Sequence, residues 1–259
     1  MDLAVIIGFV LGVSMVVFGI GLDALMNFFD VPSVLIVFGG GLGATMMATG
    51  MDELTGAVKT SMQMLLHKKH DLIPLVKRIV EFSEIARRDG ILALENVTDQ
   101  IKDEFLVKGI RLAVDGTDPE LIESILTTEV SNIRKRHEKA KSFFLMFEKY
   151  APGWGMIGTL IGLINMLSQG MDNPAVLTAG MAVALITTMY GSMISNFAVG
   201  PIGSKLTALD GEEMLAKSIV VKGVLAIQSG DNPRIVEMKL KIFLPPAVRN
   251  SFGKDAEGG

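Results

Sequence analysis

Long apolar stretches alternate along the chain with long charged stretches. Four apolar tracts are each close to the roughly 20 helical residues needed to cross a bilayer core, at residues 3–22, 31–50, 152–170 and 176–202. The breaks within each pair of tracts are short and contain Asp23, Asp30 and Asp172. This pattern predicts an all-α integral membrane protein, with four transmembrane helices in two hairpins and a helical cytoplasmic domain.

The positive charges predict how these helices are oriented. All 24 Lys and Arg lie in residues 51–150 and 203–259, and such segments stay on the cytoplasmic side. Both termini are therefore expected inside the cell and both hairpin tips outside. The predicted parts are membrane helices 1 and 2 in residues 1–50, a cytoplasmic helical domain in 51–150, membrane helices 3 and 4 in 151–202, and a cytoplasmic helical tail in 203–259. The first tract lacks a basic start and a cleavage site, so we expect a retained helix and not a signal peptide.

Polar caps mark the helices that we expect in the cytoplasmic segments. Asp71, Asp118 and Asn232 each precede an amphipathic stretch, and Gly90 is expected to end the first of these helices. The helix after Asp118 is expected to run to about Lys149. The apolar face of the third is predicted from helical spacing to consist of Ile235, Met238, Ile242 and Phe243.

The composition excludes several classes of protein. Hydrophobic residues make up 49% of the chain, the mean hydropathy is +0.45, and there is no cysteine, which excludes thiol catalysis and cysteine-ligated metal. A net charge of −4 argues against a nucleic-acid partner. His67 and His70 could be read as a metal pair, but too few further ligands accompany them. We therefore expect neither an enzyme nor a resident metal or cofactor.

Ionisable residues are absent from the interior of all four tracts. An ion pump or a proton relay normally needs such a group at membrane depth. If the protein takes part in ion transport, the carboxylate must come from another chain. A self-sufficient channel is therefore disfavoured.

Small and hydroxyl residues are concentrated in the apolar tracts. Gly158 and Gly162 form a G-x-x-x-G pair of the kind that lets helices approach closely, and two similar pairs are Gly8 with Gly12 and Gly39 with Gly43. Helix packing is one interpretation of this pattern. The other is that hydroxyl groups line a hydrated path and help to strip water from a hard cation, and the candidates are Thr159, Thr187 and Thr188.

Two prolines lie at the cytoplasmic ends of the third and fourth tracts. Pro152 and Pro201 are ordinary helix boundaries or kinks on one interpretation. On the other, they form a hinge that responds to ion occupancy. Thr159 follows Pro152 by seven residues, which is two helical turns along the same face.

At these residues the sequence resembles the flagellar motor stator A subunits, the MotA/PomA family, over nearly the whole chain. The strongest stretch is Ala-Pro-Gly-Trp-Gly-Met-Ile-Gly-Thr-Leu-Ile-Gly-Leu at residues 151–163. The other stretches that carry the resemblance are residues 1–4, 86–95, 114–116, 171–174, 182–191, 223–228 and 232–234, together with Pro201.

The resemblance implies a stator unit of the bacterial inner membrane, in which five A subunits surround two B subunits. The single membrane span of the B subunit would carry the ion-binding aspartate, and its periplasmic domain would hold peptidoglycan. It further implies that Arg87 and Glu95 contact the rotor protein FliG, where their other interpretation is solvated charges at helix ends. Pro152 and Pro201 would form the base of the ion path. Membrane lipid would surround the unit.

The nature of the transported ion is a finer question. Thr159 and Thr188 match threonines that are associated with sodium in the PomA branch, whereas proton-type relatives often have alanine at the first position. The resemblance therefore favours Na⁺ over H⁺, with a proton-driven stator as the alternative. Two further alternatives are an ExbB/TolQ-like energiser of an envelope complex and a membrane scaffold that conducts no ion.

Overall fold

The computed structural model describes residues 3–51, 56, 57, 59, 62, 71–98, 101, 103–169 and 173–249. In this part of the chain all regular structure is helical, which confirms the all-α prediction. The α-helices are α1 (Leu3–Ile20), α2 (Val31–Thr49), α3 (Leu72–Asp89), α4 (Glu95–Thr98), α5 (Glu104–Val114), α6 (Pro119–Ser168), α7 (Pro174–Gln228), α8 (Pro233–Lys241) and α9 (Pro246–Arg249). Short 3₁₀ helices cover Leu22–Phe28 and Ile91–Leu94, and π-helical turns lie within α2 at Leu35–Gly39 and within α7 at Ile194–Val199.

The predicted helix caps are confirmed. The side chains of Asp71, Asp118 and Asn232 each accept a hydrogen bond from the backbone N–H two residues further on, at 3.1, 2.9 and 3.0 Å. Gly90 follows α3 with φ of 86°, a backbone conformation that glycine adopts without steric cost. The three polar residues therefore determine where their helices begin, and Gly90 determines where α3 ends.

The prediction that the helix after Asp118 ends near Lys149 is wrong. The helix α6 is a single helix of 50 residues that continues through Pro152 to Ser168. A proline inside a helix removes only one backbone hydrogen bond and adds local strain, and packing against neighbouring helices can offset both. Pro152, where the third membrane tract was predicted to start, therefore lies inside α6.

The chain divides into two compact units. The first contains Met1–Lys68 and Arg136–Leu209, and the second contains Lys69–Lys135 and Asp210–Gly259. This division groups residues that contact each other. The predicted parts, 1–50, 51–150, 151–202 and 203–259, instead separate membrane segments from cytoplasmic ones. The predicted domain boundaries therefore stay a prediction.

The number of membrane spans also stays a prediction. Among the described residues, two helices are long and apolar enough to cross a membrane, Val31–Thr49 and Pro174–Gln228. A third span results if Ala4–Ile20 and Leu22–Phe28, which meet at an angle of 95°, are counted together. The third predicted tract, in α6, is interrupted by glycines and by polar residues such as Asn165. The hairpin tip at Asp172 lies outside the described residues.

A closely packed hydrophobic core holds the second unit together. Its fully buried side chains come from α3, α5, α8 and the adjoining parts of α6 and α7, and include Val76, Ile79, Leu106, Ile110, Ile122, Leu126, Val224, Val236 and Leu240. Lys217 of α7 donates a hydrogen bond to Asp103, at 3.3 Å, and Asp103 in turn caps α5. Polar and apolar contacts thus hold α5 and this part of α7 together.

Three of the four residues predicted for the apolar face of α8 are wrong, and the fourth, Phe243, is partly buried against the core. Val236 and Leu240 are fully buried, whereas Ile235, Met238 and Ile242 are 43, 63 and 65% exposed. Both faces of this helix carry apolar residues, so helical spacing alone cannot select the one that turns toward the core. The contact with α3 makes that selection.

Aromatic rings pack onto glycines in the first unit. The ring of Phe197, in α7, stacks on Phe9 with a centroid distance of 5.4 Å and covers Gly12 of α1. In the same way, Trp154 of α6 covers Gly40 of α2. Gly8, Gly12, Gly39 and Gly43 were predicted to allow close packing of α1 and α2. Among the described residues only Gly12 is covered by another side chain, because a Cβ at any of the other three would have no described atom within 4 Å.

Candidate functional site

The helices α6 and α7 approach each other so closely that their backbones touch. A Cβ at Gly162 would lie 2.7 Å from the carbonyl oxygen of Gly180, and one at Gly191 would lie 2.8 Å from that of Ala151. A Cβ at Gly158 would meet the side chain of Thr187 at 2.5 Å. The G-x-x-x-G pair in α6 therefore has the predicted packing function, and the contact continues over several turns.

Two of the predicted threonines meet across this contact. The hydroxyl of Thr159, in α6, contacts the hydroxyl of Thr188, in α7, although 29 residues separate them in sequence. Thr159 Oγ1 also lies 3.0 Å from the carbonyl oxygens of both Gly155 and Ala184. Thr188 donates to the same Ala184 oxygen at 3.1 Å, so four oxygens form one cluster. Neutral oxygens of this kind are the ligands that hard cations prefer.

This oxygen cluster faces outward from the chain. Thr188 is exposed and Thr159 is half-buried, so the cluster lies at the surface of the first unit and not in its interior. Charged residues are absent from the apolar parts of both helices. The cluster can therefore contact a cation, but it cannot neutralise one.

The third predicted threonine has different surroundings. Thr187 is completely buried between α6 and α7, against Gly158. Its hydroxyl donates within its own helix, to the carbonyl oxygen of Val183 at 2.9 Å or of Ala184 at 3.0 Å. This geometry is that of a packing residue, and a role of Thr187 in an ion path stays a prediction.

The two candidate prolines lie further along the same pair of helices. Pro152 is half-buried inside α6, and its Cα would lie 3.2 Å from a Cβ at Gly191 of α7. Pro201 is exposed and follows the π-helical turn Ile194–Val199. No local pattern in the sequence predicts this turn. A π-helical turn beside a proline indicates locally adjusted backbone hydrogen bonding, while a hinge function of the two prolines stays a prediction.

A tyrosine links the start of α2 to α7. The hydroxyl of Tyr190 donates to the carbonyl oxygen of Phe28 at 2.5 Å and accepts from the N–H of Asp30 at 3.2 Å. Asp30 caps α2 through the N–H of Ser33, at 2.9 Å. The turn between the first two tracts is thereby tied to the helix that carries Thr188. The sequence alone does not predict this contact, because no local pattern pairs residues 160 positions apart.

Replacing Tyr190 with phenylalanine should lower the stability of the first unit. The substitution removes both hydrogen bonds and leaves two backbone groups without their partner, at a cost of about 1–3 kcal/mol. Thermal unfolding of the detergent-solubilised protein should show a midpoint several degrees lower. Tyr150→Phe is the matched control, since the hydroxyl of Tyr150 forms no hydrogen bond with a described residue. Equal midpoints for the two variants would contradict this role of Tyr190.

Arg87 and Glu95 lie on the surface of the second unit. Arg87 is exposed in the last turn of α3, and Glu95 is exposed at the first residue of α4. Within the described part of the chain, neither side chain forms an ion pair. Arg87 lines a cavity of about 350 Å³ together with residues that include Gly116 and Gln228. The three residues belong to the stretches 86–95, 114–116 and 223–228, which resemble the stator A subunits. Both charges are thus available to a partner.

The neighbouring arginine is already paired. Arg88 donates to the carboxylate of Asp89 at distances between 2.8 and 3.1 Å. This hydrogen bond lowers the pKa of Asp89 and raises the pKa of Arg88. Of the two adjacent arginines, Arg87 is therefore the one that offers an unpaired charge.

The described acidic and histidine residues do not form a group that could bind a metal ion. His67 and His70 lie outside the described residues. Among the residues that are described, no three His, Asp or Glu side chains come together in a way that could hold a metal ion.

Comparison with known proteins agrees with this architecture. Residues 97–217 match the model of the MotA/TolQ/ExbB proton channel family. The chain is 38% identical to motility protein A of Borreliella burgdorferi over the full length of both, and 39% identical to the chemotaxis protein PomA of Vibrio alginolyticus, over 96% of this chain and 98% of that protein.

A solved structure shows the same fold. The chain superposes on a chain of the flagellar MotAB stator complex from Bacillus subtilis with a TM-score of 0.85 and 30% identity. The alignment covers 95% of this chain and 98% of that one. The two relatives and the solved structure match over nearly the whole length of each protein, and all the similarities are to channel and motility proteins and not to enzymes. The chain therefore belongs to the membrane-embedded MotA/TolQ/ExbB family and, within it, to the MotA-type subunits of the flagellar stator.

Proposed function

We propose that the protein couples the inward flow of Na⁺ to torque on the flagellar rotor, together with a B-type subunit. The observation that carries this proposal is the outward-facing oxygen cluster around Thr159 and Thr188, in helices whose apolar parts contain no charged residue. Such a cluster can contact a cation but needs a carboxylate from elsewhere. A span of the B subunit with an ion-binding aspartate supplies it, and the periplasmic part of that subunit holds peptidoglycan. The MotAB structural relative supports a partner of this kind.

The choice of sodium follows from the chemistry of the cluster. Thr159 and Thr188 contribute hydroxyls, and Gly155 and Ala184 contribute carbonyl oxygens. Na⁺ is a hard cation that exchanges hydration water for oxygen ligands, whereas a proton needs only a titratable group. Two hydroxyls at this point of the path are therefore more useful to Na⁺ than to H⁺.

The proposed assembly lies in the bacterial inner membrane, with four spans per A subunit and both termini in the cytoplasm. Five A subunits surround two B subunits. One charge that crosses 100 mV releases roughly 2.3 kcal/mol, so each step can involve only small rearrangements. The close packing of α6 against α7 suits such small movements, with Pro152 and Pro201 at the base of the path.

The rotor contact is assigned to the second unit. Arg87 and Glu95 are exposed, carry opposite charges and have no ion-pair partner among the described side chains. We assign them to contacts with the rotor protein FliG. Complementary charges across such an interface would give it register and direction.

Removing both hydroxyls of the cluster should weaken the response to sodium. The double variant Thr159→Val, Thr188→Val keeps the shape of both side chains and removes two oxygen ligands. Swimming speed is measured against sodium concentration at fixed proton-motive force, in a host without stators that expresses this chain and its cognate B subunit. The parent speed should rise and saturate with sodium. The variant should need about ten times more sodium for half-maximal speed, which corresponds to about 1.4 kcal/mol.

Thr178→Val is the matched control for this experiment. Thr178 also lies in α7 and is exposed, but its hydroxyl donates only within its own helix, to Pro174 or Ala175 at 3.0 Å. This control should retain the parent response. A parent speed that does not depend on sodium would make the transported ion a proton. No swimming with the cognate partner present would favour an ExbB/TolQ-like energiser instead.

A further inference from the structure

Glu148 occupies a special position in α6, four residues before Pro152. It is half-buried, and its Oε1 lies 3.0 Å from the place that a Cβ would take at Gly200 of α7. The carboxylate thus rests against the backbone of α7 because Gly200 has no side chain. Pro201 follows directly. This acidic group lies where the two proline-bearing segments meet.

The same residue also offers a backbone oxygen. Pro152 has no N–H, so the carbonyl oxygen of Glu148 lacks the donor that it would have in an uninterrupted helix. Helical carbonyls point toward the C-terminal end of their helix, which in α6 is the direction of Thr159. Glu148, Pro152 and Thr159 are spaced i, i+4 and i+11, which places them within about 40° of each other around the helix at 100° per residue.

The negative charge of Glu148 has no counterion among the described side chains. No hydrogen bond or ion pair joins it to any of them. The adjacent Lys149 lies over the ring of Tyr150, 5.6 Å from its centroid. On α7, the cationic residue nearest to Gly200 in sequence is Lys205, five positions further on. A half-buried carboxylate next to a freed carbonyl oxygen, with no ion pair to a described side chain, is a group suited to binding a cation.

We propose that Glu148 is the cation acceptor at the cytoplasmic end of the ion path. It receives the ion after the cluster of Thr159 and Thr188 and releases it to the cytoplasm. This inference rests on the proposed function. Acidic side chains at the mouths of cation channels act in this way, because they raise the local concentration of cations and shorten the transfer to water.

An acceptor at the exit affects the rate of ion release and not the work that each ion performs. At low load, rotation is limited by the ion-transfer steps, so Glu148→Gln should reduce the speed per stator about tenfold, or about 1.4 kcal/mol in the barrier. At high load, the torque per stator is set by the ion-motive force and should remain that of the parent. A loss of folding or of rotor contact would instead reduce the torque at every load.

The test is a bead assay of single stators, with this chain and its cognate B subunit in a stator-null host. Speed at low load and torque at high load are recorded for the parent, Glu148→Gln and Glu148→Asp. Glu138→Gln is the matched control, an exposed glutamate ten residues earlier in the same helix. The aspartate variant should recover most of the speed, and the control should equal the parent. The speed at low load is measured in two series, one that varies sodium at fixed pH and one that varies pH at fixed sodium. The cation on which the speed depends is the one that passes Glu148.

Three results would overturn the proposal while the stator function stands. In the first, Glu148→Gln turns at the parent speed at low load. In the second, the speed and torque of Glu148→Gln fall by the same factor at all loads. In the third, the aspartate variant is as slow as the glutamine variant. A parent that produces no rotation with its cognate partner would overturn the proposed function, and with it the role of Glu148.

Discussion

Replacing Gly162 with leucine should abolish motility. A Cβ at this position would lie 2.7 Å from the carbonyl oxygen of Gly180 and 2.9 Å from the backbone nitrogen of Ala184. Because both atoms belong to the backbone of α7, no side-chain movement can relieve the clash, and the two helices must separate. Overpacking in a well-packed contact costs about 1–3 kcal/mol, and a clash with backbone falls at the upper end or beyond. Separation would also pull apart the hydroxyls of Thr159 and Thr188.

The measurement combines spreading in soft agar with the amount of protein in the membrane fraction and the recovery of the B subunit with it. We expect no spreading and a strong decrease in both amounts. Gly8→Leu is the control, since a Cβ at Gly8 would have no described atom within 4 Å. Parent-like spreading of the Gly162→Leu variant would show that motility does not need the close contact of α6 with α7.

Exchanging the charges of Arg87 and Glu95 should stop the motor without unfolding the protein. The double variant Arg87→Glu, Glu95→Arg keeps the net charge and changes two exposed side chains that have no ion-pair partner among the described residues. Each would then face a like charge on the rotor, at a cost of several kcal/mol. We expect loss of motility at a parent-like amount of membrane protein.

The control for this exchange uses the adjacent pair. The variant Arg88→Asp, Asp89→Arg also keeps the net charge and preserves the pairing between the two residues. Because exposed pairs contribute little to stability, this variant should swim almost like the parent. Equal motility of both charge-exchange variants would remove Arg87 and Glu95 from the rotor contact, and compensating charge reversals on FliG should restore motility if the assignment is correct.

Local sequence signals predicted the features that depend on a few neighbouring residues. Asp71, Asp118 and Asn232 mark helix starts and Gly90 marks a helix end, because a cap or a positive φ depends only on adjacent atoms. The G-x-x-x-G pair of Gly158 and Gly162 likewise indicated close packing. Local signals failed at Pro152, since a proline costs one hydrogen bond and the surrounding packing decides whether the helix survives it.

The candidate site shows the same division. The sequence indicated a hydroxyl-rich face on α7, but Thr187 and Thr188 are neighbours that point 100° apart. The neighbouring helix buries the first against Gly158 and leaves the second exposed beside Thr159. The sequence did not identify Glu148 as a candidate site residue, because it is one of several charged residues in its stretch. Its position became informative only through the contact of its carboxylate with Gly200.

The sequence by itself determined the class of the protein, the positions of its apolar tracts, the capped starts of α3, α6 and α8, the end of α3 and the absence of an acidic group within the tracts. These properties are sums or local patterns of residue types, and they do not depend on distant contacts. The tertiary structure decided which face of α8 is buried, which two of three threonines meet, and that Tyr190 ties the start of α2 to α7. The physical reason is that helical periodicity fixes the angles between side chains, whereas the direction in which the helix turns them is set by the surface against which it packs.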